Sequence, residues 1–212
     1  MRFVITGCGR SGTMFLAQAL GRSRKFIVRH EHADDVRGWF ARAGSYDAAG
    51  HLGLTLQRFK AHANYGEVNS CLRFIVDKLP LDKRGLIIRN PQDIALSSMN
   101  KFPIRWMGMY GFDERCRALE ADLRQVQHLI KRGCPAFRFE ELTRDAGRMA
   151  EVVDWLGIDD VDVLEINYAQ RINASGREFC SGLAQLTSEH RKAVRAACKW
   201  FADIYYPGTW RA

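Results

Sequence analysis

The chain has 212 residues, with 32 Lys and Arg against 24 Asp and Glu, for a net charge of +8. That length allows one domain over 1–212 with a sizeable core, and the charge favours anionic ligands. The basic residues are spread along the chain, with no basic helix and no aromatic-studded basic stripe, so a nucleic-acid partner is not expected. The six cysteines, Cys8, Cys71, Cys116, Cys134, Cys180 and Cys198, form no C-x-x-C pair and no metal-like spacing, so no metal site is expected.

An apolar run, Phe3-Val4-Ile5-Thr6, leads into Gly7-Cys8-Gly9-Arg10-Ser11-Gly12-Thr13, and Met14, Phe15, Leu16, Ala19 and Leu20 then follow a helical pattern. This is strand, glycine-rich loop, helix. Such a loop wraps an anion, because its backbone N–H groups converge and the helix N-terminus adds partial positive charge. Arg10 supplies a full charge, and Ser11 and Thr13 supply hydroxyl donors. The ATP- and GTP-binding form of this loop is G-x-x-x-x-G-K-[ST], whose Lys reaches the outer phosphates. Gly7 and Gly12 keep that separation, but Thr13 stands in the Lys position and Met14 follows it. A loop whose cation is Arg10 suits a terminal phosphate better than a metal-bridged triphosphate. A thiol in such a loop can have a lowered pKa, although Cys8 also reads as a small residue filling a turn.

Lys25 to Arg29 reads as a second strand ending in Arg29-His30-Glu31-His32. Asp34 to Ala43 is expected to be helical, with Asp34 and Asp35 suited to its first turn. Gly44 to Gly53 is expected to be a loop and Leu54 to Ala63 a helix. Tyr65 to Cys71 reads as a third strand, and Leu72 to Leu79 as a short helix. Gly85 to Arg89 is a fourth strand. Pro91 suits the first turn of a helix running to Lys101. Phe102 to Gly111, with Trp106 and Tyr110, reads as an aromatic loop. Asp113 to Arg132 is a long amphipathic helix, Ala136 to Phe139 a fifth strand, and Arg148 to Leu156 a helix stopped by Gly157. Thr187 caps a last helix running to Tyr206. The alternation predicts an α/β fold, a mostly parallel sheet of about five strands with helices on both faces. Arg2 opens the first strand almost at once and no apolar run is long enough to span a bilayer, so a cytoplasmic protein with reduced thiols and no membrane anchor is expected.

Two of these stretches carry a resemblance. Gly9-Arg10-Ser11-Gly12-Thr13 after a buried strand resembles the 5′-phosphate loop of sulfotransferases that use 3′-phosphoadenosine 5′-phosphosulfate. Gly85-Leu86-Ile87-Ile88-Arg89-Asn90-Pro91-Gln92-Asp93, continuing to Ser97-Ser98, is similar to the family's 3′-phosphate motif. That motif is a strand ending in Arg-[Asn/Asp/Glu]-Pro-x-Asp with a Ser eight residues after the Arg, and Arg89 and Ser97 keep the spacing. The resemblance covers residues 1–30 and 66–101. It extends faintly over Phe137 to Leu142, where Phe139-Glu140-Glu141-Leu142 is similar to a Tyr-Glu-[Asp/Glu]-Leu segment whose role is structural.

The resemblance implies a P-loop, nucleotide-kinase-like sulfotransferase fold and a transfer of sulfonate to a hydroxyl or amine. Gly9, Arg10, Ser11, Gly12, Thr13 and Met14 would hold the 5′-phosphosulfate, and Arg89 and Ser97 the 3′-phosphate. Arg177, in the turn-rich segment Ile172 to Arg177, would close that site, or would belong to a plain surface loop. Glu31 or His32, at the end of the second strand, would take the acceptor's proton, or would cap the helix that follows. Asn69 and Ser70 would hold the acceptor and Glu67 is an alternative base; a buried strand-end role suits all three equally. No metal is required. The acceptor, a sugar, an anionic molecule or another small molecule, is not specified by these motifs, nor is the oligomeric state. Two competitors remain: a P-loop kinase with a degenerate loop, and a non-catalytic module binding a nucleotide or an anionic glycan.

Overall fold

A computed structural model describes residues 1–32, 35, 48–101, 112–168 and 182–210. Five parallel strands form one sheet: β1 (Arg2–Thr6), β2 (Ile27–Arg29), β3 (Tyr65–Val68), β4 (Lys83–Ile88) and β5 (Ala136–Arg138), in the order β2-β3-β1-β4-β5. The central strand is buried on both sides, which is why it reads as a continuous apolar run rather than an alternating one. Its side chains still divide by parity. Phe3 and Ile5, with Ile87 of β4, pack under helices α1 (Thr13–Leu20) and α6 (Ala146–Leu156). Val4, with Leu86 and Ile88, packs under α4 (Phe112–Lys131) and α7 (Ser188–Tyr205). Helices therefore cover both faces, as the β–α alternation requires.

The remaining helices are α2 (Ala48–Ala61), α3 (Pro91–Lys101) and the single turn α5 (Phe139–Leu142). Several end signals act as expected. Thr187 accepts a hydrogen bond from the His190 N–H at 3.1 Å, and α6 stops at Gly157. Other expectations are corrected. The stretch from Ala48 to Gly53 is helical rather than loop, because α2 buries Thr55 and Phe59 in the core and so extends back through Gly50 and Gly53. The third strand ends at Val68, where the Asn69 side chain accepts from the Cys71 N–H at 2.9 Å and starts a 3-10 turn over Ser70–Phe74. A second such turn, Val76–Lys78, follows in place of the expected helix. The fifth strand ends at Arg138, and Phe139 opens α5. The expected Asp34–Ala43 helix lies outside the described residues apart from Asp35, as does the aromatic loop with Trp106 and Tyr110. No helix among the described residues is long and apolar enough to cross a membrane.

The topology fixes where a ligand can sit. The chain leaves β1 for β2 at one edge of the sheet and leaves β4 for β5 at the other, while β1 and β4 lie side by side. Connections from neighbouring strands thus run in opposite directions, and the crevice between their carboxyl ends is where open parallel sheets bind ligands. The glycine-rich loop follows β1 and Arg89-Asn90-Pro91 follows β4.

Candidate functional site

The loop between β1 and α1 is shaped by two glycines. A Cβ on Gly7 would lie 2.3 Å from the Ile87 carbonyl oxygen, so only glycine lets the loop leave the sheet so close to β4. Gly12 has φ 101°, and a Cβ there would lie 2.1 Å from the Phe139 ring. Gly12 gives α1 no side-chain cap, so the first-turn N–H groups face the loop side of the helix end. Arg10 is also left-handed, at φ 70°, a conformation that costs a non-glycine residue about 1 kcal/mol or more. Such outliers persist where the surroundings enforce them, commonly at ligand clamps.

The two predicted phosphate motifs come together. Arg10 Nε donates to Ser97 Oγ at 3.1 Å, joining the loop to α3. Arg89 Nη1 donates to the Arg10 carbonyl oxygen at 3.1 Å. Its guanidinium lies over the Phe139 ring, 4.9 Å from the centroid, while its Nε is buried without a hydrogen-bond partner. Ser11 Oγ, fully buried in the loop, also has no partner. Burial and the neighbouring Arg89 charge lower the Arg10 pKa, and the Glu31 carboxylate pulls it back up. Two like charges are thus held at one strand-end crevice.

The helix after β4 starts as Pro91 predicts. The Asn90 side chain accepts from the Gln92 N–H at 3.0 Å and donates to Thr209 Oγ1 at 3.0 Å. The Asn90 N–H donates to Glu140 Oε1 at 2.8 Å. Phe139 and Glu140 of α5 therefore brace both loops, one against Gly12 and Arg89 and the other against Asn90. A structural role for that segment is legible in the sequence; its contacts with Gly12, Arg89 and Asn90 are not.

The strand-end triplet after β2 fans out. His30 Nε2 lies 3.1 Å from Thr13 Oγ1, at the start of α1. Burial depresses the His30 imidazole, opposed by the Glu31 charge, so the ring is neutral near pH 7. Glu31 Oε1 accepts a hydrogen bond from Ser70 Oγ. His32 Nε2 lies 3.2 Å from the Tyr65 hydroxyl and 3.7 Å from Glu67 Oε1. Nothing in the sequence marks His30 apart from its place at a strand end beside Glu31.

Glu67 and Asn69 sit inside a buried network. Glu67 is 0% exposed and accepts from Arg58 Nε at 2.8 Å, the Tyr65 hydroxyl at 3.0 Å and Asn69 Nδ2 at 2.9 Å. Asn69 Nδ2 also donates to Asp35 Oδ2 at 2.7 Å, and Arg58 and His51 reach the same carboxylate. Burial alone would raise the Asp35 carboxyl. The hydrogen bond from His51, the Arg58 charge and the Asn69 amide override it and hold the group well below the usual carboxylate range. Ser70 differs from its neighbours, since its hydroxyl faces Glu31.

Cys8 is buried, and burial first, then the Asp122 charge, pushes its thiol well above the ordinary range. The loop thiol is a packing residue here, not a thiolate. Arg177 lies outside the described residues. Among the described residues no group of His, Cys, Asp and Glu side chains is arranged to hold a metal ion. No protein-family model matches the chain, and no curated protein matches it.

Proposed function

We propose that the chain is a cytoplasmic sulfotransferase that moves a sulfonate group from 3′-phosphoadenosine 5′-phosphosulfate to a hydroxyl or amine of an acceptor. The observation that carries this reading is the convergence of Arg10 and Arg89, joined to each other and to Ser97, at the carboxyl ends of β1 and β4. An anion offsets the repulsion between the two guanidiniums. The strand order, with the loop after β1 and the Arg-Asn-Pro turn after β4, suits a P-loop-like sulfotransferase architecture.

In this reading Arg10, Ser11, Gly12, Thr13 and the α1 N-terminus hold the 5′-phosphosulfate, and Arg89 and Ser97 hold the 3′-phosphate. The acceptor oxygen attacks sulfur, the bond from sulfur to the bridging phosphate oxygen breaks, and adenosine 3′,5′-bisphosphate leaves. Glu31 takes the acceptor's proton. Its carboxylate already accepts the Ser70 hydroxyl, which fixes its orientation, whereas His32 is turned toward Tyr65 and Glu67. Glu67 is enclosed by Arg58, Tyr65 and Asn69, which favours Glu31 over it. Positioning and charge stabilisation would supply most of the rate, by analogy with loose phosphoryl transfer.

The test is an acceptor screen with isotope-labelled sulfonate donor, read by mass spectrometry. Labelled product formed without added metal supports transfer. Phosphorylated product from ATP that requires Mg²⁺ would make the chain a kinase, and tight bisphosphate binding with no product from any acceptor would make it a binding module.

A further inference from the structure

His30 stands outside the motifs that suggested the donor site, yet its ring touches one of their residues. The imidazole Nε2 is 3.1 Å from Thr13 Oγ1, and Thr13 is the first residue of α1 and 5% exposed. A threonine hydroxyl has one proton, so it can donate in only one direction at a time. If Thr13 gives that proton to His30, the loop loses a donor. If His30 gives its own N–H to Thr13, the hydroxyl proton is left to rotate toward the loop's ligand.

We propose that His30 is a positioning residue for the anion loop: its Nε2–H donates to Thr13 Oγ1 and so directs the Thr13 proton toward the 5′-phosphosulfate. This rests on reading the loop as the phosphosulfate site. The physical setting favours this direction. Burial keeps the ring neutral, so it carries a single N–H. The loop already gathers donors, with Ser11 Oγ and Arg89 Nε both buried and unpartnered, and an acceptor ring drawing the Thr13 proton away would work against them. His30 acts through Thr13 and touches no reacting atom.

The test is a double-variant cycle on binding of adenosine 3′,5′-bisphosphate by calorimetry, with NMR of the histidine ring nitrogens in the wild-type protein. His30→Phe is expected to raise Kd by roughly 2- to 10-fold, the effect of one neutral hydrogen bond. His30→Gln, whose amide can donate from nearly the same place, should stay close to wild type. Thr13→Val should weaken binding by about 10-fold or more, as expected for loss of a hydrogen bond to a charged group. In the Thr13→Val background, His30→Phe should then do nothing further. The His30 ring should carry its proton on Nε2.

Additive losses in the double variant would overturn the proposal, and so would a proton on Nδ1 or tighter binding by His30→Phe. A fall in kcat for His30→Gln with Kd unchanged would make His30 a base instead of a positioning residue. If the wild type fails to bind the bisphosphate at all, the donor reading fails separately. The same cycle with inorganic pyrophosphate, and the ring tautomer, then decide the role of His30.

Discussion

Arg10 and Arg89 are joined by a hydrogen bond, but the donor reading gives them different partners. Arg89→Ala should remove a charge-assisted hydrogen bond to the 3′-phosphate, about 1.5–3 kcal/mol of binding. Calorimetry should show that loss for adenosine 3′,5′-bisphosphate and little of it for AMP, whereas Arg10→Ala weakens both. Equal losses for both ligands in Arg89→Ala would reduce Arg89 to a brace for the Arg10 carbonyl. Glu31→Gln should lower kcat by roughly 10²–10⁴-fold with bisphosphate affinity near wild type. His32→Asn should be much milder; a reversed ranking in steady-state kinetics would move the base to His32. The residues in these experiments were legible because each lies in a run of adjacent motif positions after an apolar strand. The role of His30 and the contacts of Phe139 are not legible, because they depend on Thr13, Gly12 and Arg89, which are distant in sequence. Glu67 and Asn69 were ambiguous for the same reason: Arg58 and Asp35, which enclose them, come from other elements.

Local signals located most helices. Proline at the first turn of α3, threonine before α7 and glycine after α6 each mark an end that the structure keeps. Thr187→Ala should cost about 1 kcal/mol of stability through loss of its cap, measured by urea denaturation. The start of α2 lies before the two glycines that suggest a loop, because each glycine costs a helix only about 1 kcal/mol and burial of Phe59 and its neighbours outweighs that. At the other extreme stands Gly12, where backbone and neighbour both forbid a side chain. Gly12→Ala should destabilise by about 2 kcal/mol or more, through strain at positive φ and collision with Phe139. Bisphosphate binding should fall with it. A Gly12→Ala protein with wild-type denaturation midpoint and affinity would mean the loop relaxes freely away from α5.

At the level of the molecule, the sheet order was beyond local reading, since pairing of β1 with both β3 and β4 is a long-range choice. That choice brings the glycine-rich loop and the Arg89-Asn90-Pro91 turn to one crevice, with the Asp35 network on the β2–β3 side. The network ties Asp35 and the chain after β2 to α2 and β3. Because the Asp35 pKa is depressed on folding, its contribution to stability is present above the unfolded carboxyl value near 4 and fades as pH falls below it. Asp35→Asn should therefore cost about 3 kcal/mol or more near neutrality, as expected when a buried ion pair loses one partner. The gap from wild type should narrow below pH 4 in denaturation curves. A gap that stays constant down to pH 3 would mean Asp35 is not held ionised by its partners.

In the proposed function, the crevice between β1 and β4 recognises a nucleotide phosphorylated at both the 3′ and 5′ positions of its ribose. Thermal unfolding of the wild-type protein, in the absence of metal, tests this most directly. Adenosine 3′,5′-bisphosphate should raise Tm well beyond AMP or ATP, with a stabilisation of about 2.7 kcal/mol at a hundredfold excess over Kd. An equal shift with AMP, or a larger shift with ATP that appears only with Mg²⁺, would rule out a 3′,5′-bisphosphate site.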